Sequence, residues 1–83
     1  MEGSFEEANE EQLATLDDLE MLREDLMGEL QAINQYQDHI LSMENEAAVS
    51  LLEHIVEEEK EHVAELVKLI QSLDPIQAEK FKA

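Results

Sequence analysis

An all-α protein, an antiparallel two-helix hairpin followed by a short third helix, is the fold that three observations predict. Apolar residues recur at helical spacing in two long segments, a polar stretch separates them, and an Asp-Pro pair closes the second. The first helix is expected from about Leu16 to Ser42, with Thr15 as its hydroxyl cap and Asp17, Asp18 and Glu20 near the positive end of its dipole. Its stripe consists of Leu19, Leu22, Leu26, Leu30, Ile33 and Ile40, spaced by three, four and seven residues. Such a helix is ~40 Å long at ~1.5 Å per residue, and in so short a chain only a second helix of similar length covers it. After the polar stretch Ser42 to Glu46, residues Ala47 to Leu73 supply that helix, with Ala48, Leu52, Ile55, Leu66, Ile70 and Leu73 on one stripe. Asp74 and Pro75 stop it, because the residue before a proline is pushed out of the helical region. Asp74 then caps a short terminal helix, Ile76 to Lys82, with Pro75 as its first residue.

At 83 residues the chain is one folding unit. Residues 1–14, with Glu2, Glu6, Glu7, Glu10 and Glu11, are expected to be an acidic N-terminal arm, and residues 15–83 the helical domain. A hairpin cannot cover its own apolar faces, and no internal repeat supplies a second pair of helices. A second copy is therefore expected, giving a four-helix bundle.

Charge narrows the partners. Twenty-two acidic residues against five basic ones give a formal net charge of −17, which excludes nucleic acid and makes cations the natural counterpart. Without cysteine, any metal must be held by carboxylate and imidazole. No apolar run approaches the ~20 residues of a membrane span, and the first residues are acidic, unlike a secretory signal, so the cytoplasm is the expected compartment.

Two acids interrupt the apolar stripes. Glu29 falls between Leu26 and Ile33 on the first helix, and Glu59 replaces an apolar residue between Ile55 and Leu66 on the second. Both are expected to be paired or metal-bound. His62 follows Glu59 by three residues, so a carboxylate and an imidazole stand side by side where both reach one ion. Glu57, Glu58, Lys60 and Glu61 belong to a solvated face. Di-iron carboxylate bundles take one Glu from each of two helices and a Glu-x-x-His from each of the other two. One chain carries half of that set, and two chains carry it all. His39 and His54 lie off the stripes and read as surface residues, and Met21, Met27 and Met43 as packing residues. Tyr36, two turns beyond Glu29 on the same face, reads as a core aromatic beside the metal site.

The segments Glu29-Leu30-Gln31-Ala32-Ile33-Asn34-Gln35-Tyr36 and Glu58-Glu59-Lys60-Glu61-His62-Val63 resemble the ferritin-like superfamily, and more closely its half-length branch, the encapsulated ferritins. The resemblance spans about Thr15 to Pro75, and the Leu73-Asp74-Pro75 ending is similar to that of members fused to the shell protein. It implies a ferritin-like four-helix bundle formed by a homodimer, with dimers arranged in a ring. It implies that Glu29 bridges two irons across the subunit interface, that Glu59 and His62 complete the coordination, and that Tyr36 lies close by. The implied activity is ferroxidase, an Fe(II):oxygen oxidoreductase with two Fe per dimer that feeds mineralisation inside an encapsulin nanocompartment in the cytoplasm. Where relatives place further acids and a tryptophan around the metal entrance, this chain has Gly28, Gln31 and Gln35, so the resemblance carries no secondary entrance. Encapsulated members continue into a shell-docking tail where this chain has Lys82-Ala83, so a truncated chain or a domain cut from a shell fusion is expected. The competing reading is a non-catalytic, metal-stabilised helical assembly or cargo module. A rubrerythrin-like reading fails on the missing cysteines.

Overall fold

The structure is a computed structural model that describes residues 9–82. The described residues form three helices and no strand: α1 (Glu10–Ser42), α2 (Glu46–Leu73) and α3 (Pro75–Phe81). Helices α1 and α2 pack antiparallel along their length in a rod with extents of 59 × 25 × 17 Å.

Helix α1 begins at Glu10 instead of Leu16. The cap is Asn9, whose Oδ1 accepts from Gln12 N at 2.8 Å while Gln12 Oε1 accepts from Asn9 N at 3.0 Å. This reciprocal capping box satisfies two donors that a helix start otherwise leaves open. Thr15 is interior to the helix, its hydroxyl donating to Glu11 O at 3.0 Å. Glu10 to Ala14 of the expected arm are therefore part of α1 with Asn9 as its cap, and residues 1–8 lie outside the described residues. Met43 to Asn45 turn the chain, and Asn45 caps α2 by accepting from Ala48 N at 2.9 Å. Asp74 does three things at the far end. Its amide donates to Ile70 O, its Oδ1 accepts from Gln77 N at 3.1 Å to start α3, and its Oδ2 accepts from Arg23 of α1 at 2.8 Å.

Burial follows a seven-residue repeat. On α1 the buried and half-buried seam is Leu19, Leu22, Leu26, Glu29, Ile33, Tyr36 and Ile40; on α2 it is Leu52, Val56, Glu59, Val63, Leu66, Ile70 and Leu73. Spacings of three and four keep one stripe of each helix against the other, as in a coiled coil. Leu30, expected on the first stripe, is 46% exposed, because its neighbour Glu29 takes the seam position and adjacent helical residues point about 100° apart. Val56 is buried and the expected stripe residue Ile55 is only half-buried, for the same reason. Among the described residues only Leu19, Val56 and Ile70 are buried, so the apolar core of one chain is thin. Leu13, Leu16, Met27, Leu51 and Leu69 are exposed.

Candidate metal centre

The seam brings the two pattern-breaking acids face to face. Glu29 from the middle of α1 and Glu59 from the middle of α2 occupy seam positions, and His62, one turn after Glu59, leans over the edge of the interface. His62 Nδ1 lies 3.0 Å from Glu29 Oε1 and 3.7 Å from Glu59 Oε1. One donor atom from each residue falls within 4.8 Å of the others. Ligands at ~2.1 Å from one ion and at right angles are ~3.0 Å apart, and opposed ligands ~4.2 Å. The donor atoms thus sit close to the spacing of one coordination sphere.

Burial and charge suit a cation. The side chains of Glu29 and Glu59 are 25% and 17% exposed, while that of His62 is 49% exposed. Glu59 is held above the ordinary carboxylate value of 4.5, first by a hydrogen bond with Glu29, then by loss of water, then by the negative charge of Glu29; His62 acts in the opposite direction. The nearby charge of Glu29 disfavours the ionised form of Glu59, and a cation between them would relieve that repulsion. The donor set, two carboxylates and an imidazole, fits iron, which accepts both oxygen and nitrogen ligands.

One side of the cluster is open. Glu29 and His62 line a groove with Glu24, Asp25, Gly28, Glu65, Leu66 and Leu69. The sequence reading did not single out Glu24, Asp25 or Glu65. Their relation to the site was available in the spacing, since Asp25 precedes Glu29 by one helical turn and Glu65 follows His62 by one. Of the residues singled out from sequence, the fold brings together Glu29, Glu59 and His62. It leaves Tyr36 outside that group, half-buried on the same seam two turns away. His39 is exposed, and His54 faces solvent with Nε2 3.4 Å from Glu58 Oε2. Among the described residues no helix is long and apolar enough to cross a membrane.

Comparison with known proteins adds a lineage. The chain is 46% identical over 57 residues to the encapsulin nanocompartment cargo protein EncC of Myxococcus xanthus, covering 69% of this chain and 44% of that protein. Over 66 residues it is 36% identical to the cargo protein EncB of the same organism, covering 80% of this chain and 42% of EncB. It is also 38% identical over 64 residues to a ferritin-like-encapsulin shell fusion protein of Pyrococcus furiosus, covering 77% of this chain and 19% of the fusion. The chain thus spans less than half the length of each curated relative. No solved structure matches it significantly. The family model of ubiquinone biosynthesis protein COQ7 matches residues 17–76, which contain both central helical segments and all three clustered donors. The chain belongs to this COQ7 family of the ferritin-like superfamily.

Proposed function

We propose that the protein is a ferroxidase that oxidises Fe(II) to Fe(III) at a site shared by two copies, supplying iron for mineralisation inside an encapsulin nanocompartment. The observation that carries this reading is the convergence of Glu29, Glu59 and His62 at the middle of the hairpin, on a face left open to a partner. Two copies supply four carboxylates and two imidazoles, whose charge balances two Fe(II). Fe(II) is the substrate. Each ion gives one electron to dioxygen, and protons from solvent complete the reduction.

The chain's own residues have separable tasks. Glu29, the closest partner of His62, fixes the imidazole with Nδ1 turned toward the carboxylates. Glu59, whose contact with Glu29 makes it hold a proton more tightly than an ordinary carboxylate, is where an arriving cation competes with protonation. Tyr36 lies half-buried on the same seam, two turns beyond Glu29. The net charge of −17 concentrates Fe(II) near the groove by electrostatic attraction. The cargo proteins and the shell fusion among the relatives support an encapsulin shell as partner and the interior of a cytoplasmic nanocompartment as location. A ring of dimers is the assembly the family resemblance favours.

A second reading, a metal that only staples two hairpins, is favoured by the thin core. The two are separated by titrating metal-free protein with Fe(II) without oxygen, following mass under native conditions, then admitting oxygen and recording Fe(III) absorbance. About one iron per chain with oxidation well above the uncatalysed rate, lost in Glu59→Ala, is expected. Iron-linked dimers that oxidise no faster than free Fe(II) would leave only the staple.

A further inference from the structure

Gly28 stands in the middle of α1, where a glycine weakens a helix relative to alanine. Nothing among the described residues accounts for it. Its φ is not positive, so the backbone conformation suits any residue, and a Cβ built on it meets nothing within 4 Å outside its own helix. Yet it lines the groove onto which Glu29 and His62 open. Across that groove Leu69, seven residues after His62 and 45% exposed, presents apolar surface.

The half-site explains what must cross here. One chain offers two carboxylates and one imidazole, and the groove beside Gly28 is an open side from which further protein ligands can reach the ion. A bare backbone lets an approaching helix come closer by the width of a side chain. The geometry points to Gly28 as the place where a helix of a second copy crosses α1 backbone against backbone, setting the separation at which the second Glu29, Glu59 and His62 complete the site. This inference rests on the shared-site reading above. Glu24, Asp25 and Glu65 around the groove repel an identical copy, and a cation between the copies offsets that repulsion, so the crossing is linked to metal binding.

The test compares wild type, Gly28→Ala and Gly28→Leu by circular dichroism melting and by sedimentation, each metal-free and with Fe(II) in the absence of oxygen. Both variants should melt at or above the wild-type temperature as metal-free chains, because the added atoms meet open space and improve the helix. The Fe(II)-linked dimer should weaken in graded order, with Gly28→Leu at least ~100-fold weaker than wild type from overpacking at the crossing. A Gly28→Leu dimer within about threefold of wild type, or a Gly28→Ala chain that melts well below it, would overturn the crossing. A wild type that dimerises with Fe(II) but, once oxygen is admitted, oxidises it no faster than free Fe(II), while Gly28→Leu stays monomeric, would sink the ferroxidase reading and leave the crossing standing. A wild type that stays monomeric with Fe(II) would sink both the crossing and the shared site.

Discussion

Glu29 occupies a seam position between Leu26 and Ile33, so replacing it with leucine should make the metal-free hairpin more stable while destroying its response to iron. The magnitude follows from burial. Full burial of a leucine side chain contributes ~1.5–3 kcal/mol, and a position only 25% exposed realises about three quarters of that, roughly 1–2 kcal/mol. Against this stands the lost 3.0 Å hydrogen bond from His62. A net value of ~0.5–1.5 kcal/mol is usual, and the low end applies because half-exposed His62 rehydrates once freed. The balance favours Glu29→Leu by about 0.5–1.5 kcal/mol, a rise of roughly 2–12 °C in melting temperature for a domain of this size. Circular dichroism melting with a chelator measures the first effect, and the same scan with anaerobic Fe(II) measures the second. A variant that melts below wild type, or that keeps the Fe(II)-induced rise, would refute the assignment of Glu29 as a carboxylate placed for metal at the expense of packing.

Glu59 sets a pH dependence whose sign differs between the metal-free and metal-bound chain. Its folded value is raised, so its contribution to metal-free stability is fully present below the ordinary 4.5 and is lost as pH rises through the raised value. Glu59→Gln should flatten that part of the stability curve, read by urea unfolding at stepped pH. Iron needs the ionised carboxylate, so Fe(II) affinity should fall as pH drops through the same range, and calorimetric titration at matched pH values should show it. In the thin core, Leu19→Ala should lower stability by ~2–5 kcal/mol, since Leu19 is 3% exposed. Leu41→Ala, at a position 86% exposed, should stay within ~0.5 kcal/mol of wild type, and urea denaturation distinguishes them.

The hairpin, its polar turn and the stop at Asp74-Pro75 were legible because each rests on local chemistry: a helical period, a run without apolar anchors, and a proline that cannot continue a helix. The start of α1 was also written in the chain, as Asn9 and Gln12 at capping-box spacing, but Thr15 followed by acids is an equally regular cap and lies nearer the first stripe residue. Glu29, Glu59 and His62 could be found because a carboxylate inside an apolar stripe conflicts with its surroundings, whatever the family. Leu30 could not be placed by the same means. Choosing between Leu30 and Glu29 for the seam requires knowing which seven-residue register the partner helix accepts, and that is decided by packing along both helices together. Glu24, Asp25 and Glu65 were hidden for a different reason: among 22 acids, those that line a groove look like those that only face water until the fold closes the groove around them.

A mixing experiment tests most directly whether the site belongs to two copies. Wild type and Glu59→Ala are unfolded together, refolded in varying ratio so that chains pair at random, and assayed for Fe(II)-dependent oxygen consumption per total chain. If each site needs the donors of both copies, activity should follow the square of the wild-type fraction, falling to about one quarter in an equal mixture. A linear decline, with about one half remaining in an equal mixture, would show that a single chain holds a complete site and would contradict the shared centre.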